Sequence, residues 1–428
     1  MSYTKIRGQT TKSRVPPREG VAAEPMSIAC PDCGTLQDLP QLHGGMAAIC
    51  PTCARPIERT SGRSEGAALS FALATFILLF PANLAPLMRI SIFGIDRETR
   101  IASGIFTLWN NQWVLFAVLV GAFAVVLPFV RFGLLSGVLG CLRFGWRPSW
   151  LARVYRVSLQ LDVWAMPDVL LLGAAVGYSR IAARIPVHIG WGGICLILAA
   201  VCAMLCRATL DRSTVWSTLK SEQSFPDAGE AAISCTVCDL AISARAEHER
   251  CPRCAATLYA RKPSTYIRTL ALVIAAFALY IPANFYPMNT NVQLGEAVKY
   301  RIIDGITDLF KAGFWPLGVL IFCTSIVIPL LKLVGLSWFL ISIRCRSTKA
   351  LVLKTKLYRL IDEIGRWSNI DVFTLAIFVP MIQFGGLASA SAGIGAVAFI
   401  LVVLLTMVAS RIFDPRLLWD AAQIGQPS

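Results

Sequence analysis

The chain states one pattern twice. Cys50 and Cys53 recur as Cys251 and Cys254, 201 residues on, and PANLAP (residues 81–86) recurs as PANFYP (residues 282–287) at the same offset. Gly104 to Trp109 (GIFTLW) returns as Gly305 to Phe310 (GITDLF), Pro128 as Pro329 and Arg131 as Lys332. After a two-residue insertion the offset becomes 203, where Trp164 and Asp168 in WAMPD match Trp367 and Asp371 in WSNID, and Asp211 and Trp216 match Asp414 and Trp419. A register held over this distance requires two copies of one structural unit.

The unit belongs in a membrane. With 56% hydrophobic and 15% charged residues and a mean hydropathy of +0.62, the chain is too apolar for a water-soluble globule. Residues 67–87 and 269–288 carry no charge, and each reaches the roughly 20 residues that cross a bilayer as helix. Residues 113–142 and 312–343 are longer and are interrupted only by Arg131 and Lys332. Third and fourth segments follow in each half, at 158–178 with 189–206 and at 367–384 with 393–412, the last boundary marked only by the GGLASASAGIG turn. The expected architecture is an α-helical polytopic membrane protein of two tandem repeats, each a small four-cysteine zinc ribbon followed by four transmembrane helices. Its divisions are a polar arm (1–26), ribbon (27–62), membrane repeat (66–216), linker (217–231), second ribbon (232–262), second membrane repeat (265–419) and tail (420–428).

Basic residues near span ends stay in the cytoplasm. The N-terminal arm is basic, the loop after the second span holds Arg143, Arg147, Arg153 and Arg156 without an acid, and the loop after the sixth holds Arg344, Arg346, Lys349, Lys354, Lys356 and Arg359. Residues 289–311 balance three bases against three acids, while Arg180 and Arg184 are an exception on the outer face. Both termini are therefore expected in the cytoplasm. The net charge of +15 is topogenic and does not indicate nucleic acid. Residues 1–29 contain no apolar h-region, so no cleavable signal peptide is expected.

Of the fourteen cysteines, eight form two quartets. Cys30 and Cys33 (CPDC) are followed after sixteen residues by Cys50 and Cys53 (CPTC), and Cys235 and Cys238 (CTVC) after twelve by Cys251 and Cys254 (CPRC). Two CxxC turns present four thiolates to one ion in a closed tetrahedral site. Zinc is favoured for a structural role, with a rubredoxin-like iron site open on spacing alone. Both quartets fall on the basic, reducing side, which argues against disulfides. A dithiol switch lacks a thioredoxin-like βαβ context, and full cysteine ligation leaves no open position for hydrolysis. Ribbons of about 30 residues need the metal to fold. The other six cysteines, Cys141, Cys195, Cys202, Cys206, Cys323 and Cys345, lie in or beside spans as small hydrophobes.

The polar positions inside the spans recur too. Pro81 and Pro86 flank Asn83 at the outward end of the first span, as Pro282 and Pro287 flank Asn284 in the fifth. Proline opens a helix, and opened backbone at membrane depth is tolerated only inside protein or along a cavity. The asparagines either satisfy the freed groups or line an outward-facing pocket, and repetition does not decide between them. Arg131, 19 residues past Gln112, lies about 28 Å in, near the inner boundary. Asp168 and Asp371 enter from the cytoplasmic side at similar depth, so ion pairs Arg131 with Asp168 and Lys332 with Asp371 are expected within each half. The rival reading is a proton-exchanging aspartate. Trp109, Trp113, Trp164, Trp216, Trp367 and Trp419 fall near span ends as interface anchors. No Walker loop, nucleophile elbow or HExxH occurs, and His43, His188 and His248 are scattered, so an enzyme is not expected.

In combination, the paired four-cysteine knuckles, PANLAP and PANFYP, GRWSNIDVF (residues 365–373) and FDPRLLWDA (residues 413–421) resemble the paraquat-inducible protein A family of Gram-negative inner membranes, over about residues 27–422. The first half departs from the pattern, with WAMPD for WSNID and DRSTVW for DPRLLW. The resemblance implies two zinc ribbons on a duplicated membrane domain, a periplasmic MCE-domain partner that forms a tunnel, and transfer of phospholipid between the membranes. An outward pocket beside Asn83 and Asn284 would then be where lipid meets the partner. The alternatives are a membrane scaffold that anchors the partner without handling lipid, a gradient-driven small-molecule transporter, and a metal or redox sensor. Polar groups converging at the bilayer midplane would mark the transporter, and metal loss at mild oxidant the sensor.

Overall fold

The structure, a computed structural model, describes residues 26–39, 47–59, 65–92, 95–111, 113–182, 186–219, 232–293, 296–311, 313–382 and 388–422. Nearly all of the polar arm, most of the linker, the end of the tail and Arg184 lie outside the described residues.

The first half opens with two antiparallel hairpins, β1 (Met26–Ala29) with β2 (Leu36–Leu39) and β3 (Ala47–Ile49) with β4 (Pro56–Arg59). Then come α1 (Glu65–Leu84), a hairpin of β5 (Met88–Ile92) and β6 (Ile95–Thr99), and α2 (Ile101–Asn110). Next, α3 (Val114–Val120) runs through a π-turn (Gly121–Val126) into α4 (Leu127–Arg143). The half closes with α5 (Leu151–Leu161), α6 (Pro167–Ala182), β7 (Val187–Ile189), α7 (Trp191–Thr209) and α8 (Arg212–Leu219).

The second half repeats the plan. It begins with β8 (Ala232–Ser234), β9 (Ala241–Ser243), α9 (Thr265–Phe285), β10 (Asn289–Gln293), β11 (Glu296–Tyr300) and α10 (Ile302–Lys311). It continues with α11 (Trp315–Phe322), a π-turn (Cys323–Val327), α12 (Ile328–Arg344), α13 (Leu351–Ile364) and a 3₁₀ turn (Gly365–Asn369). It ends with α14 (Ile370–Ile382), β12 (Ala388–Ala392), α15 (Ile394–Ile412) and α16 (Arg416–Ala421). Each π-turn ends two residues before a proline, Pro128 or Pro329, which is the second residue of the next helix. The wider turn absorbs a residue that has no N–H to donate and whose ring crowds the turn before it.

Among the described residues, six helices are long and apolar enough to cross a membrane: Gly66–Leu84, Val114–Arg143, Trp191–Thr209, Thr265–Phe285, Trp315–Arg344 and Ile394–Ile412. The chain is a multi-pass membrane protein. The third segment of each half differs from the expected span. Ser158 belongs to the amphipathic α5, and the chain turns at Asp162 before α6 starts at Pro167; in the second half Trp367 lies in the 3₁₀ turn and α14 starts at Ile370. Among the described residues, α6 runs from Pro167 to Ala182 and α14 from Ile370 to Ile382. They pack on each other at the junction of the halves. A Cβ on Gly173 would stand 2.7 Å from that of Phe373, and Thr374 donates to the Gly173 carbonyl at 3.3 Å. Residues of α2, α3, α6, α10, α11 and α14 share one core across this junction.

At one end of the bundle each half carries a three-stranded antiparallel sheet, ordered β6-β5-β7 and β11-β10-β12. At the other end sit the ribbons, and they are exchanged. The first quartet packs with Val273, Phe339, Leu340, Ile361, Phe413 and Trp419 of the second half. The second quartet packs with Ala68, Phe132, Leu139, Tyr155, Val215 and Trp216 of the first. Each ribbon thus covers the helix ends of the repeat it does not precede.

Candidate metal centres and intramembrane polar groups

The two quartets are built from four copies of one turn. In each CxxC the first cysteine's carbonyl accepts from the amide just after the second cysteine, namely Gly34, Ala54, Asp239 and Ala255, at 2.8, 3.0, 3.0 and 2.9 Å. Those four residues have φ of 78°, 56°, 56° and 57°. Three of them are not glycine, so the left-handed backbone is held at some cost. What it achieves is to fold both sulfurs of a turn to one side.

The sulfurs then converge. Cys30 and Cys53 stand 3.5 Å apart and Cys33 and Cys50 3.6 Å; Cys235 and Cys254 stand 3.5 Å apart and Cys238 and Cys251 3.6 Å. All four in each group lie within 4.8 Å of one another and all are buried. A tetrahedron with metal–sulfur bonds of about 2.3 Å has edges of about 3.8 Å, so both groups fit a closed four-thiolate ion site. Bonds from Cys30, Cys33 and Cys53 push the Cys50 thiol well down, and bonds from Cys235, Cys238 and Cys254 do the same to Cys251. The same shared bonds push Cys30 and Cys53, and Cys235 and Cys238, up, so each quartet holds some thiols ready to ionise and others that would give up a proton to a metal.

The first centre is tied to the second half by α13. Arg359 bonds the Asp32 carboxylate through Nε at 2.5 Å, and through Nη2 it bonds the Cys53 carbonyl at 3.0 Å and the Cys53 sulfur at 3.3 Å. Asp32, whose side chain is 1% exposed, is also bonded by Arg55. Nearby, Arg261 grips Asp420 of α16 with two bonds, at 2.6 and 2.7 Å. The first ribbon braces helix ends of the second half in this way, the cation on α13 reaching an acid inside a CxxC turn. Arg359 had been read only as a topogenic charge.

At the opposite end, Asn83 donates to the Leu79 carbonyl at 2.7 Å and Asn284 to the Tyr280 carbonyl at 2.8 Å, each one turn back along α1 or α9. Pro81 and Pro282 lie inside those helices, so the amides supply local bonding where the helix is weakened. Beyond them the backbone opens onto the start of α7 or α15. Gly192 donates to the Pro86 carbonyl at 3.0 Å and Gly395 to the Pro287 carbonyl at 3.2 Å. A Cβ on Gly190 would stand 2.1 Å from the Pro86 oxygen, and one on Gly393 2.0 Å from the Pro287 oxygen. PANxxP and G-x-G are the two sides of one junction. Gly190 and Gly192 recur as Gly393 and Gly395 at an offset of 203, a signal that was present but reads as a turn.

The structure assigns the intramembrane charges other partners than those expected. Arg131 bonds Asp162, which also takes Arg207 at 2.9 Å and Arg212 at 3.3 Å. Asp168 takes Arg207 at 2.9 Å and, from the other half, Arg366 at 3.9 Å. In the second half Lys332 Nζ donates to the Gly365 carbonyl at 2.9 Å, while Asp371 accepts from Ser325. The expected pairings fail because α6 and α14 start later than read: Asp162 stays in the bend before α6, where it intercepts Arg131, and the 3₁₀ turn carries Gly365 to Lys332.

Duplicated helical halves that carry paired four-cysteine groups able to hold a metal ion at one end and small sheets at the other define a multi-pass membrane protein of tandem-repeat origin. The chain belongs to the paraquat-inducible protein A family, which matches residues 66–220 and 266–423, one match per repeat. It is 27% identical over 401 residues to the intermembrane transport protein PqiA of Escherichia coli (strain K12), covering 92% of this chain and 95% of that one. It is 26% identical over 400 residues to the lipophilic envelope-spanning tunnel protein A of the same strain, covering 92% of each. With a probable intermembrane transport protein of Haemophilus influenzae it shares 24% over 420 residues, 94% of this chain and 98% of that one. No solved structure matches the chain.

Proposed function

We propose that this chain is the inner-membrane station of an intermembrane lipid-transport system, passing phospholipid between the cytoplasmic membrane of a Gram-negative envelope and a periplasmic MCE-domain tunnel. The observation that carries this reading is the end-to-end correspondence with relatives named for intermembrane transport, over 92% of this chain and 95% of the first. In this reading the ribbons and both termini are cytoplasmic, in keeping with the basic loops at that end, and the sheets beside PANLAP and PANFYP face the periplasmic partner. Pro81, Asn83, Pro86, Pro282, Asn284 and Pro287 would border the route by which lipid leaves the outer leaflet. The two centres hold zinc through Cys30, Cys33, Cys50 and Cys53 and through Cys235, Cys238, Cys251 and Cys254. Zinc there is structural, since four sulfur ligands leave it no open position, and the chain is a carrier and not an enzyme.

The test is in-cell photocrosslinking, with a photoreactive residue at Asn83, at Asn284 and at lipid-facing controls such as Ile77 and Ile281, which are 56% and 62% exposed. Phospholipid captured above control at the asparagines, and altered by deletion of the periplasmic partner, is the expected result. Capture equal to control would overturn the pocket and favour a scaffold that only anchors the partner.

A further inference from the structure

A cation is buried where α12 turns into α13. Lys354 is 2% exposed, and its ammonium forms no ion pair among the described residues. It donates to Ser342 Oγ at 2.6 Å and to Ser347 Oγ at 3.1 Å, and lies 5.7 Å from the centre of the Trp338 ring. An ammonium carries three donors, so one N–H and the whole unit charge are left over. The two hydroxyls accept from that ammonium, which turns their own hydrogens away from it and leaves them to donate to something else. Desolvation presses the Lys354 pKa down, as it does for a buried cation without a counter-charge.

The setting narrows what could supply the counter-charge. No acidic residue occurs between 329 and 361, and Arg344, Arg346 and Lys349 stand exposed around the same elbow. Trp338 is 39% exposed and sits six residues from the end of the apolar Trp315–Arg344 span, the level at which tryptophan meets headgroups. A cation capping the end of α12 would bond main-chain carbonyls, whereas this one bonds hydroxyls. The first half lacks the arrangement, with Gly137 and Cys141 standing where Trp338 and Ser342 do.

We propose that the α12–α13 elbow binds the phosphate of an anionic phospholipid in the leaflet at the ribbon end, with Lys354 as its fixed cation, Ser342 and Ser347 as donors and Trp338 as its wall. The exposed Arg344, Arg346 and Lys349 raise the local concentration of such lipids without fixing one. The site is separate from the PANxxP route and stands whether or not lipid passes there.

The test uses the purified full chain in detergent, with lipid retention counted by native mass spectrometry after adding phosphatidylglycerol or phosphatidylethanolamine, and with thermal unfolding followed in parallel with inorganic phosphate. Wild type should retain phosphatidylglycerol over phosphatidylethanolamine. Lys354→Met should lower that retention about fivefold or more, the factor expected from one basic residue at a membrane surface, while Lys354→Arg keeps most of it. If Lys354→Met does not fold, Ser342→Ala/Ser347→Ala is read in its place. Equal retention of both lipids by wild type, or unchanged phosphatidylglycerol retention in the variant read, would overturn the proposal. So would stabilisation by inorganic phosphate alone, which would make this a free-anion site, or loss of retention only when Arg344, Arg346 and Lys349 are neutralised.

Discussion

Replacing Arg359 with glutamine should loosen the first metal centre and leave the second alone. The side chain makes one ion pair and two further bonds to the first ribbon, to Asp32, the Cys53 carbonyl and the Cys53 sulfur. Removing one partner of a buried ion pair costs about 3–5 kcal/mol. Here Arg359 is 23% exposed and Asp32 keeps Arg55 on its other oxygen, so the loss falls to about 2 kcal/mol, or roughly thirtyfold in an equilibrium or rate that depends on the docked ribbon. The assay is release of metal to a chromogenic chelator from the zinc-loaded full chain, in wild type and in a Cys235→Ser/Cys238→Ser background that retains only the first cysteine quartet. Release from that background should accelerate about thirtyfold on Arg359→Gln. Acceleration below about threefold, or equal acceleration of the second centre in a Cys30→Ser/Cys33→Ser background, would refute the cross-half strut.

Exchange of the ribbons makes its own prediction: Cys30→Ser should raise hydrogen exchange in α13 and α16, and Cys235→Ser in α5 and α8, the reverse assignment being the refuting one. Gly393→Ala places a Cβ 2.0 Å from a main-chain oxygen and should cost about 3 kcal/mol or more in thermal unfolding, whereas Gly137→Ala, with open space around it, should be neutral or stabilising by up to about 1 kcal/mol. Lys332→Met removes a fully buried charge whose ammonium bonds the Gly365 carbonyl, so the melting temperature should hold or rise; a fall of more than a few degrees would show that the charge itself supports the fold.

What could be read from the sequence was whatever repeats or has a composition of its own. The duplication, both quartets and the six long apolar helices needed only local patterns. The ribbon exchange had no such pattern, because Asp32 and Arg359 lie 327 residues apart and each alone is an ordinary charge. The partners of Arg131 and Lys332 were misread for a different reason. Apolar runs interrupted by single acids suggested that the third segments begin at Ser158 and Trp367, and this put Asp168 and Asp371 beside the wrong bases. Asp162 and Gly365, at the bends that precede α6 and α14, carry the bonds instead. Periodicity locates apolar runs well and the turns that interrupt them poorly, and at those turns the membrane's charges find their partners.

The late start of α6 and α14 also decides what stands at their N-termini. The first amides of a helix have no partner within it and take one from a side chain or another element. Asp168 and Asp371 fall in the first turns of α6 and α14, where a carboxylate is favoured by the unpaired amides, and each is less than one-tenth exposed. The two copies then diverge in how they hold the carboxylate. The first half surrounds Asp162 and Asp168 with Arg131, Arg207, Arg212 and Arg366 in one ionic chain that crosses to the other half. The second half uses dipoles, with Ser325 on Asp371 and the Gly365 carbonyl on Lys332. Planar guanidinium forks fix the geometry of the first cluster, whereas hydroxyl and carbonyl partners leave a charge on Lys332 that a small shift of the 3₁₀ turn would expose to new neighbours. One ancestral unit has thus yielded a half locked by ion pairs and a half in which Ser325 bonds Asp371 and the Gly365 carbonyl bonds Lys332, and it is this second half that the first ribbon clamps through Arg359.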